Sequence, residues 1–99
     1  MSMPRSDRFE EIIQELMELH AKKAADYGAD LDPLFNLRMC EYMGIPAWQG
    51  VVIRLTDKIA RLMTFARKGT LQNESVEDTF RDIAVYAILG LILYQDHAR

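Results

Sequence analysis

Apolar side chains recur every three or four residues along three long segments of this chain, and this spacing is the strongest constraint on its fold. An α-helix turns once every 3.6 residues, so such spacing places apolar groups on one face of a helix. The segments begin near Phe9, near Trp48 and near Ile83. No alternating apolar pattern long enough for a strand occurs between them. The sequence therefore predicts an all-α fold, a small helical bundle.

Capping and turn residues divide the chain into three long helices and one short helix. Such residues satisfy backbone groups that have no partner at a helix end. The predicted long helices run from a capping box at Asp7 and Glu10 to Gly28, from Ile45-Pro46 to about Lys68-Gly69, and from a capping box at Ser75 and Asp78 to about Asp96. The short helix is predicted between Asp32-Pro33 and Gly44.

The length of 99 residues, 49% of them hydrophobic, suffices for one core and leaves no room for a second domain of ordinary size. We therefore expect a single all-α domain over residues 1–99, with a flexible lead at residues 1–6. The run from Ile83 to Tyr94 is apolar on all sides of the predicted helix, and a small bundle cannot cover all of that apolar surface. We expect the bundle to be completed by homo-oligomerisation through this last helix.

Charge and composition argue against several classes of protein. Fifteen acidic and twelve basic residues give a net charge of −3, which does not favour binding to a nucleic-acid polymer. The lone Cys40 has no second cysteine for a disulfide. The N-terminus lacks the apolar core of a signal peptide, and the longest apolar run falls short of the roughly twenty residues of a membrane span. We expect a soluble cytoplasmic protein without a membrane partner.

Four charged residues form a stripe on the second long helix: Arg54, Asp57, Lys58 and Arg61. The spacing places them opposite a predicted packing side formed by Val52, Leu55, Ile59 and Leu62. One interpretation is a solvated face with ion pairs Arg54–Asp57 and Asp57–Arg61. The other is a set of ligand contacts.

Four acidic residues open the third long helix: Glu74, Glu77, Asp78 and Asp82. The helix dipole accounts for the first three, whereas Asp82 borders the apolar run. In an antiparallel hairpin, Asp78 and Asp82 lie near Lys58 and Arg61, so a structural salt-bridge cluster is an alternative to a functional site.

The end of the first long helix is a second candidate region. Lys22, Lys23, Asp26 and Tyr27 lie there, and Asn36 and Arg38 follow the loop. Loops held by helices commonly bind ligands. The alternatives are compensation of the helix dipole by the lysines and core packing by Tyr27.

Five segments of the chain can be read together: residues 22–28, 32–36, 45–48, 54–62 and 74–87. Over about residues 20–95 they resemble the nucleotide-modification-associated domain, a small helical family frequent in bacteriophage genomes. That family is itself similar to the all-α NTP pyrophosphatase superfamily, which includes the MazG-type enzymes. There, an E-E-x-x-E motif and an E-x-x-D motif on neighbouring helices gather magnesium for attack on a nucleoside triphosphate.

This chain departs from those motifs. If Asp57 takes the first acidic position of the E-E-x-x-E motif, Lys58 and Arg61 take the other two. Thr79 and Asp82 then occupy the first and last positions of the E-x-x-D motif. Cations at two carboxylate positions repel magnesium and attract phosphate. The resemblance thus implies a nucleotide pocket that has lost its metal, with no cofactor expected. The implied ligand-binding residues are Lys23, Asp26, Tyr27, Asn36, Arg54, Lys58 and Arg61.

Three functions remain open. The first is a phage-type protein that binds nucleotide phosphates without turnover, such as an anti-defence sponge for a cyclic nucleotide signal in the host cytoplasm. The second is a magnesium-dependent, MazG-like pyrophosphohydrolase or a nucleotide-modification accessory enzyme that uses Asp57, Asp78 and Asp82 as metal ligands. The third is a helical interaction module without a small ligand. The replacement of two motif carboxylates by Lys58 and Arg61 favours binding over catalysis.

Overall fold

The described residues of the computed structural model, 4–26 and 34–98, fold into helices and contain no strand. The long helices are α1 (Pro4–Asp26), α3 (Ala47–Lys68) and α4 (Val76–Ala98). The short helix α2 (Phe35–Arg38) continues into a 3₁₀ helix, Met39–Met43. The predicted all-α class, with three long helices and one short helix, is confirmed. Contacts divide the chain into two compact units, Met1–Pro33 and Leu34–Arg99.

Helix α1 belongs to the first unit and begins earlier than predicted. Proline is accepted in a first helical turn because the N–H it lacks would have no partner there. With the helix starting at Pro4, Asp7 lies in its first turn and does not cap it. Residues 4–6 of the predicted lead are thus part of α1, and the flexibility expected of residues 1–6 stays a prediction. The predicted stop at Gly28 lies outside the described residues.

The helices of the second unit that flank the α3–α4 turn end and begin at the residues that the sequence predicted. Gly69 adopts φ 77°, a left-handed conformation that glycine takes without strain, and its N–H donates to the Phe65 carbonyl at 2.7 Å. At the start of α4 the Ser75 hydroxyl accepts a hydrogen bond from the Asp78 N–H at 3.0 Å, as the predicted cap requires. Helix α2 begins at Phe35, and the predicted cap, Asp32-Pro33, lies outside the described part of the chain.

Helices α3 and α4 pack antiparallel. Trp48 meets Tyr94 edge to face, with ring centroids 5.5 Å apart, and Lys58 meets Asp82 at 2.9 Å. The apolar core lies at the end where α3 begins and α4 finishes. Its buried members are Leu37, Ala47, Val51 and Leu93, with Leu34, Trp48, Leu55, Tyr86 and Leu89 packed around them. The opposite end of the hairpin is held by charged and polar groups.

The packed face of α3 includes Leu55 and Leu62, as predicted, but not Val52 and Ile59. Val52 and Ile59, expected to pack, are 48% and 46% exposed. Val51 is 1% exposed, and Lys58, expected on the opposite charged side, is half-buried. Residues 47, 51, 55, 58 and 62 follow three- and four-residue steps and form the packed face. The prediction failed because Lys58 completes that face.

Within the described ranges, none of the helices combines the length and the apolar character that crossing a membrane requires.

Gly50 provides a test of the packing between α3 and the 3₁₀ helix. A Cβ at this position would approach the Cys40 Sγ to 2.6 Å. Although alanine favours a helix over glycine by about 1 kcal/mol, overpacking costs about 1–3 kcal/mol. We expect Gly50→Ala to lower the free energy of unfolding in urea. Removing the sulfur with Cys40→Ala should make the double variant more stable than the sum of the two single effects. A Gly50→Ala protein as stable as the parent would contradict this packing.

Self-association through α4 stays a prediction, and the exposed side chains of that helix define its test. Phe80, Ile88, Leu91 and Tyr94 are 58%, 48%, 57% and 51% exposed. We expect light scattering to give more than one chain per particle, and Leu91→Glu to shift the protein toward the monomer, because a charge opposes burial in an apolar contact. Gln72→Glu, which adds the same charge in the turn after α3, is the control. A parent protein that is monomeric at micromolar concentration would refute the prediction.

Candidate functional site

The charged end of the hairpin is organised around the Lys58 ammonium group. Antiparallel packing carries this side chain from α3 to the start of α4. Its Nζ donates to Asp82 Oδ2 at 2.9 Å and to Glu74 Oε1 at 3.2 Å, and the side chain is 17% exposed. One ammonium thus joins two carboxylates that lie eight residues apart in the sequence. Of the salt-bridge cluster considered from the sequence, the Lys58–Asp82 contact is present, whereas Asp78 pairs with Arg81 and Glu74 takes the place expected for it.

Glu74 is the residue that the sequence analysis underestimated. The helix dipole was taken to account for it, but Glu74 lies before the Ser75 cap, where its side chain reaches back to α3. Besides the contact with Lys58, its Oε2 accepts a hydrogen bond from Thr79 at 2.7 Å and lies 3.6 Å from Arg61 Nη1. Its position one residue before a cap, next to a hairpin turn, was the available signal. Glu74 therefore links the turn to both helices.

Thr79 supports this arrangement from within the hairpin. It is the largest fully buried polar residue of the described chain, with no exposed surface. Its hydroxyl lies 2.7 Å from Glu74 Oε2 and 2.9 Å from the Ser75 carbonyl oxygen, and its single proton can be donated to only one of them at a time. Donation to the carboxylate is favoured because charge-assisted hydrogen bonds are the stronger kind. Thr79 thereby orients Glu74.

These contacts change the pKa values of two groups. The hydrogen bond from Thr79 is the largest effect on Glu74, and with Lys58 and Arg61 nearby it holds the pKa of Glu74 below the ordinary 4.5 despite burial. Burial acts to lower the pKa of Lys58, but hydrogen bonds to Asp82 and Glu74 outweigh it and raise that pKa above the ordinary 10.5. Both groups are thus held in their charged forms at neutral pH.

The three candidate metal ligands are placed in different surroundings. Asp82 is bound to Lys58, whereas Asp78 pairs with Arg81 at 3.0 Å. Asp57 is exposed, and neither of the predicted pairs Arg54–Asp57 and Asp57–Arg61 occurs among the described residues. In the same part of the chain, no three His, Cys, Asp or Glu side chains are grouped as metal ligands would be.

Lys58, Arg61, Glu74 and Asp82 form one group of ion pairs, the Lys58 cluster. A shallow depression of about 290 Å³ lies beside this cluster, at the turn between α3 and α4. Arg61 and Glu74 belong to the cluster and also line the depression. The Arg61 side chain is 45% exposed, so part of its guanidinium remains accessible. The depression is lined by Asp57, Ala60, Arg61, Thr64, Leu71, Gln72, Asn73 and Glu74. It offers one cation, two carboxylates and two amide side chains to a ligand.

The other predicted contacts are spread over the chain. Arg54 is exposed on α3, two turns before Arg61, and Asn36 is exposed on α2. Lys23 and Asp26 lie in the last turns of α1, but their side chains are outside the described set, as is the whole of Tyr27. The role of these five residues in binding stays a prediction.

The pH dependence of stability tests the Glu74 contacts. Since its pKa is lowered in the folded state, Glu74 contributes stability above its unfolded pKa, near 4.5, and loses that contribution as the pH falls through the folded value. We expect Glu74→Gln to cost about 1 kcal/mol at pH 7, because hydrogen bonds to a charged group are lost at a partly exposed site. The difference from the parent should shrink as the pH falls below 4.5.

The matched control is Glu77→Gln, which makes the same change in the first turn of α4, where the side chain is 83% exposed. Its effect should stay within about 0.5 kcal/mol at every pH. Urea unfolding of the three proteins between pH 3 and pH 8 measures both differences. A cost for Glu74→Gln that does not change with pH would contradict the assignment of that cost to the charged form.

Comparison with known families gives a match over most of the chain. Residues 23–93 match the family described as nucleotide modification associated domain 1. This range includes α2, α3 and all residues of the Lys58 cluster. No curated protein and no solved structure matches the chain. Since the matched range is well over half of its length, the chain belongs to the nucleotide modification associated domain 1 family.

Proposed function

We propose that this protein binds a nucleotide through its phosphate groups at the α3–α4 turn, without turning it over. The observation that carries the proposal is the engagement of Lys58 with both Glu74 and Asp82. Magnesium binds through carboxylate oxygens, and here an ammonium group already occupies oxygens of two carboxylates. A metal would have to replace that ammonium. The arrangement therefore favours an anionic ligand over a divalent cation.

Arg61 is the proposed main contact for phosphate. Its ion pair with Glu74 is long at 3.6 Å, and the side chain is 45% exposed. A guanidinium has five N–H donors in a planar fork that matches phosphate oxygens, so most of its donors remain usable. Arg54 lies two turns earlier, about 10 Å along the helix axis, and would act on a more distant charged group. Lys58, which does not line the depression, contributes positive charge nearby through its contact with Glu74.

The remaining lining of the depression supplies polar contacts for the rest of a nucleotide. Gln72 and Asn73 carry amides, which both donate and accept hydrogen bonds. Such groups recognise the edges of bases and the hydroxyls of ribose. Binding without turnover would act by sequestration, and a phage-encoded sponge for a nucleotide signal is one such use.

A second candidate is a magnesium-dependent, MazG-like pyrophosphohydrolase. It is favoured by Asp57 and Glu74, which line the same depression and present carboxylates that a metal could use after Lys58 moved away. In that case Asp82, released from Lys58, would be the third acidic group. The two candidates differ in their need for metal.

The melting temperature in excess EDTA distinguishes metal-free nucleotide binding from magnesium-dependent catalysis. A ligand at about ten times its Kd stabilises the folded state by about 1.4 kcal/mol, or roughly 5–10 °C for a chain of this size. We expect at least one of the common nucleoside mono-, di- and triphosphates to give such a shift without metal. Arg61→Glu should abolish it because the charge at the phosphate contact is reversed. Arg67→Glu, the same change on the exposed end of α3 and outside the depression, should leave it intact.

A measurement of nucleoside triphosphate turnover can contradict the proposal of binding without turnover. If the protein instead releases pyrophosphate from a nucleoside triphosphate at an ordinary enzymatic rate with magnesium, and Asp82→Asn abolishes this while Arg61→Glu keeps it, binding without turnover is refuted. Absence of any nucleotide-dependent shift in EDTA would also refute it.

A further inference from the structure

The positions at which α3 and α4 pack together divide the surface of the hairpin into two sides. The packed positions are Val51, Leu55, Lys58 and Leu62 on α3 and Thr79, Asp82, Tyr86, Gly90 and Leu93 on α4. Successive residues of a helix are about 100° apart, so the residue after each packed position lies on one side of its helix and the residue before it lies on the other. Because the helices run antiparallel, equal rotations along their chains bring the following residues of both helices to the same side of the hairpin.

The two sides differ in charge. The residues that precede packed positions on α3 include Gly50, which lies against Cys40, and the charged residues Arg54, Asp57 and Arg61. This charged side therefore carries the 3₁₀ helix and the lining that α3 gives to the depression. The residues that follow packed positions form the uncharged side. They are Val52, Thr56, Ile59 and Met63 on α3 and Phe80, Ile83, Ala87, Leu91 and Tyr94 on α4.

We propose that the uncharged side is the contact surface between two copies of this chain, so that two hairpins pack face to face as a four-helix arrangement. The inference goes beyond the self-association expected of α4, because it assigns part of the contact to α3 and restricts α4 to one of its sides. The candidate ligand site lies on the charged side and stays open in such a pair.

The exposed area of the uncharged side matches what a pair of copies requires. Its six largest exposed side chains are between 46% and 64% exposed: Val52, Ile59, Met63, Phe80, Leu91 and Tyr94. About half of the surface of six large side chains is on the order of 600 Å², the upper limit of apolar patches on typical monomers. A stable interface buries about 600–1,000 Å² on each partner. The uncharged side of each copy thus supplies one half of a small dimer interface.

The distribution of side-chain sizes suits packing of this side against itself. The Lys58–Asp82 contact sets the register of the hairpin. In this register the small residues Thr56 and Ala87 lie near the middle of the uncharged side, with larger side chains toward both ends. A two-fold axis through the middle would place the large side chains of one end against those of the opposite end. The Thr56 hydroxyl already donates to the Ile53 carbonyl at 2.6 Å, so burial leaves no hydrogen bond unmet there.

Light scattering of the full chain across micromolar concentrations tests this inference. We expect particles of two chains. Ile59→Glu should raise the dissociation constant of the pair by about a hundredfold or more, because an unpaired charge would be buried in an apolar contact. Ile59→Leu keeps the apolar character and should keep the pair. High sodium chloride should not weaken association, since the contact contains no charges to screen.

Two neighbouring residues of α4 provide a matched comparison of the two sides. Leu91 follows the packed Gly90 and lies on the uncharged side, whereas Ile92 precedes the packed Leu93 and lies on the charged side, where it is 39% exposed. Leu91→Glu should dissociate the pair as Ile59→Glu does, and Ile92→Glu should leave the dissociation constant within about threefold of the parent value. Circular dichroism of each variant verifies that the helices are retained.

Several results would overturn the inference. A parent protein that stays monomeric refutes any contact between copies. If Leu91→Glu dissociates the pair and Ile59→Glu does not, the contact belongs to α4 alone and its assignment to α3 is wrong. Dissociation by Ile92→Glu as strong as by Leu91→Glu, or loss of association in high salt, places the contact on the charged side instead. These measurements contain no nucleotide, so their outcome is separate from that of the proposed phosphate binding.

Discussion

The ammonium group of Lys58 is the interaction on which the charged half of the hairpin depends. A half-buried lysine without partners is costly, and here the two partners come from different segments, the turn before α4 and the second turn of α4 itself. Satisfying this one group therefore sets the position of the turn and the register of α4 against α3. At the other end, Val51 and Leu93 fill the apolar core. Polar and apolar contacts thus define the same antiparallel packing from opposite ends.

This division has consequences for the function of the site. Partly buried ion pairs seldom stabilise a fold more than apolar residues of the same size would, so stability alone does not account for a four-residue charged cluster next to a depression. The proposed ligand binding would account for it, because the same contacts that hold Lys58 also orient Glu74 and leave Arg61 partly exposed. The description of the nucleotide modification associated domain 1 family agrees with the proposal of a nucleotide ligand.

Part of the site could be predicted from residue spacing. Lys58 and Asp82 were expected to meet because short connections make neighbouring helices antiparallel, and the structure has them 2.9 Å apart. Glu74 was not expected in this role, because acidic residues near any helix start are favoured by the dipole and the pattern does not separate the two explanations. Thr79 stood out only as a departure from the second acidic motif, and its hydrogen bond to Glu74 was not expected, because a threonine inside a helix shows its burial only when its neighbours are known.

The sequence by itself determined the all-α class and the ends of α3 and α4 near the turn, since periodicity, the Gly69 stop and the Ser75 cap are local properties of the chain. Tertiary structure decided which face of α3 is packed. Local spacing allowed two apolar stripes, one through Val51 and one through Val52 and Ile59, and hydropathy alone favoured a face without a lysine. Lys58 could enter the packed face only because Glu74 and Asp82, distant in sequence, supply the charges that compensate for its loss of water.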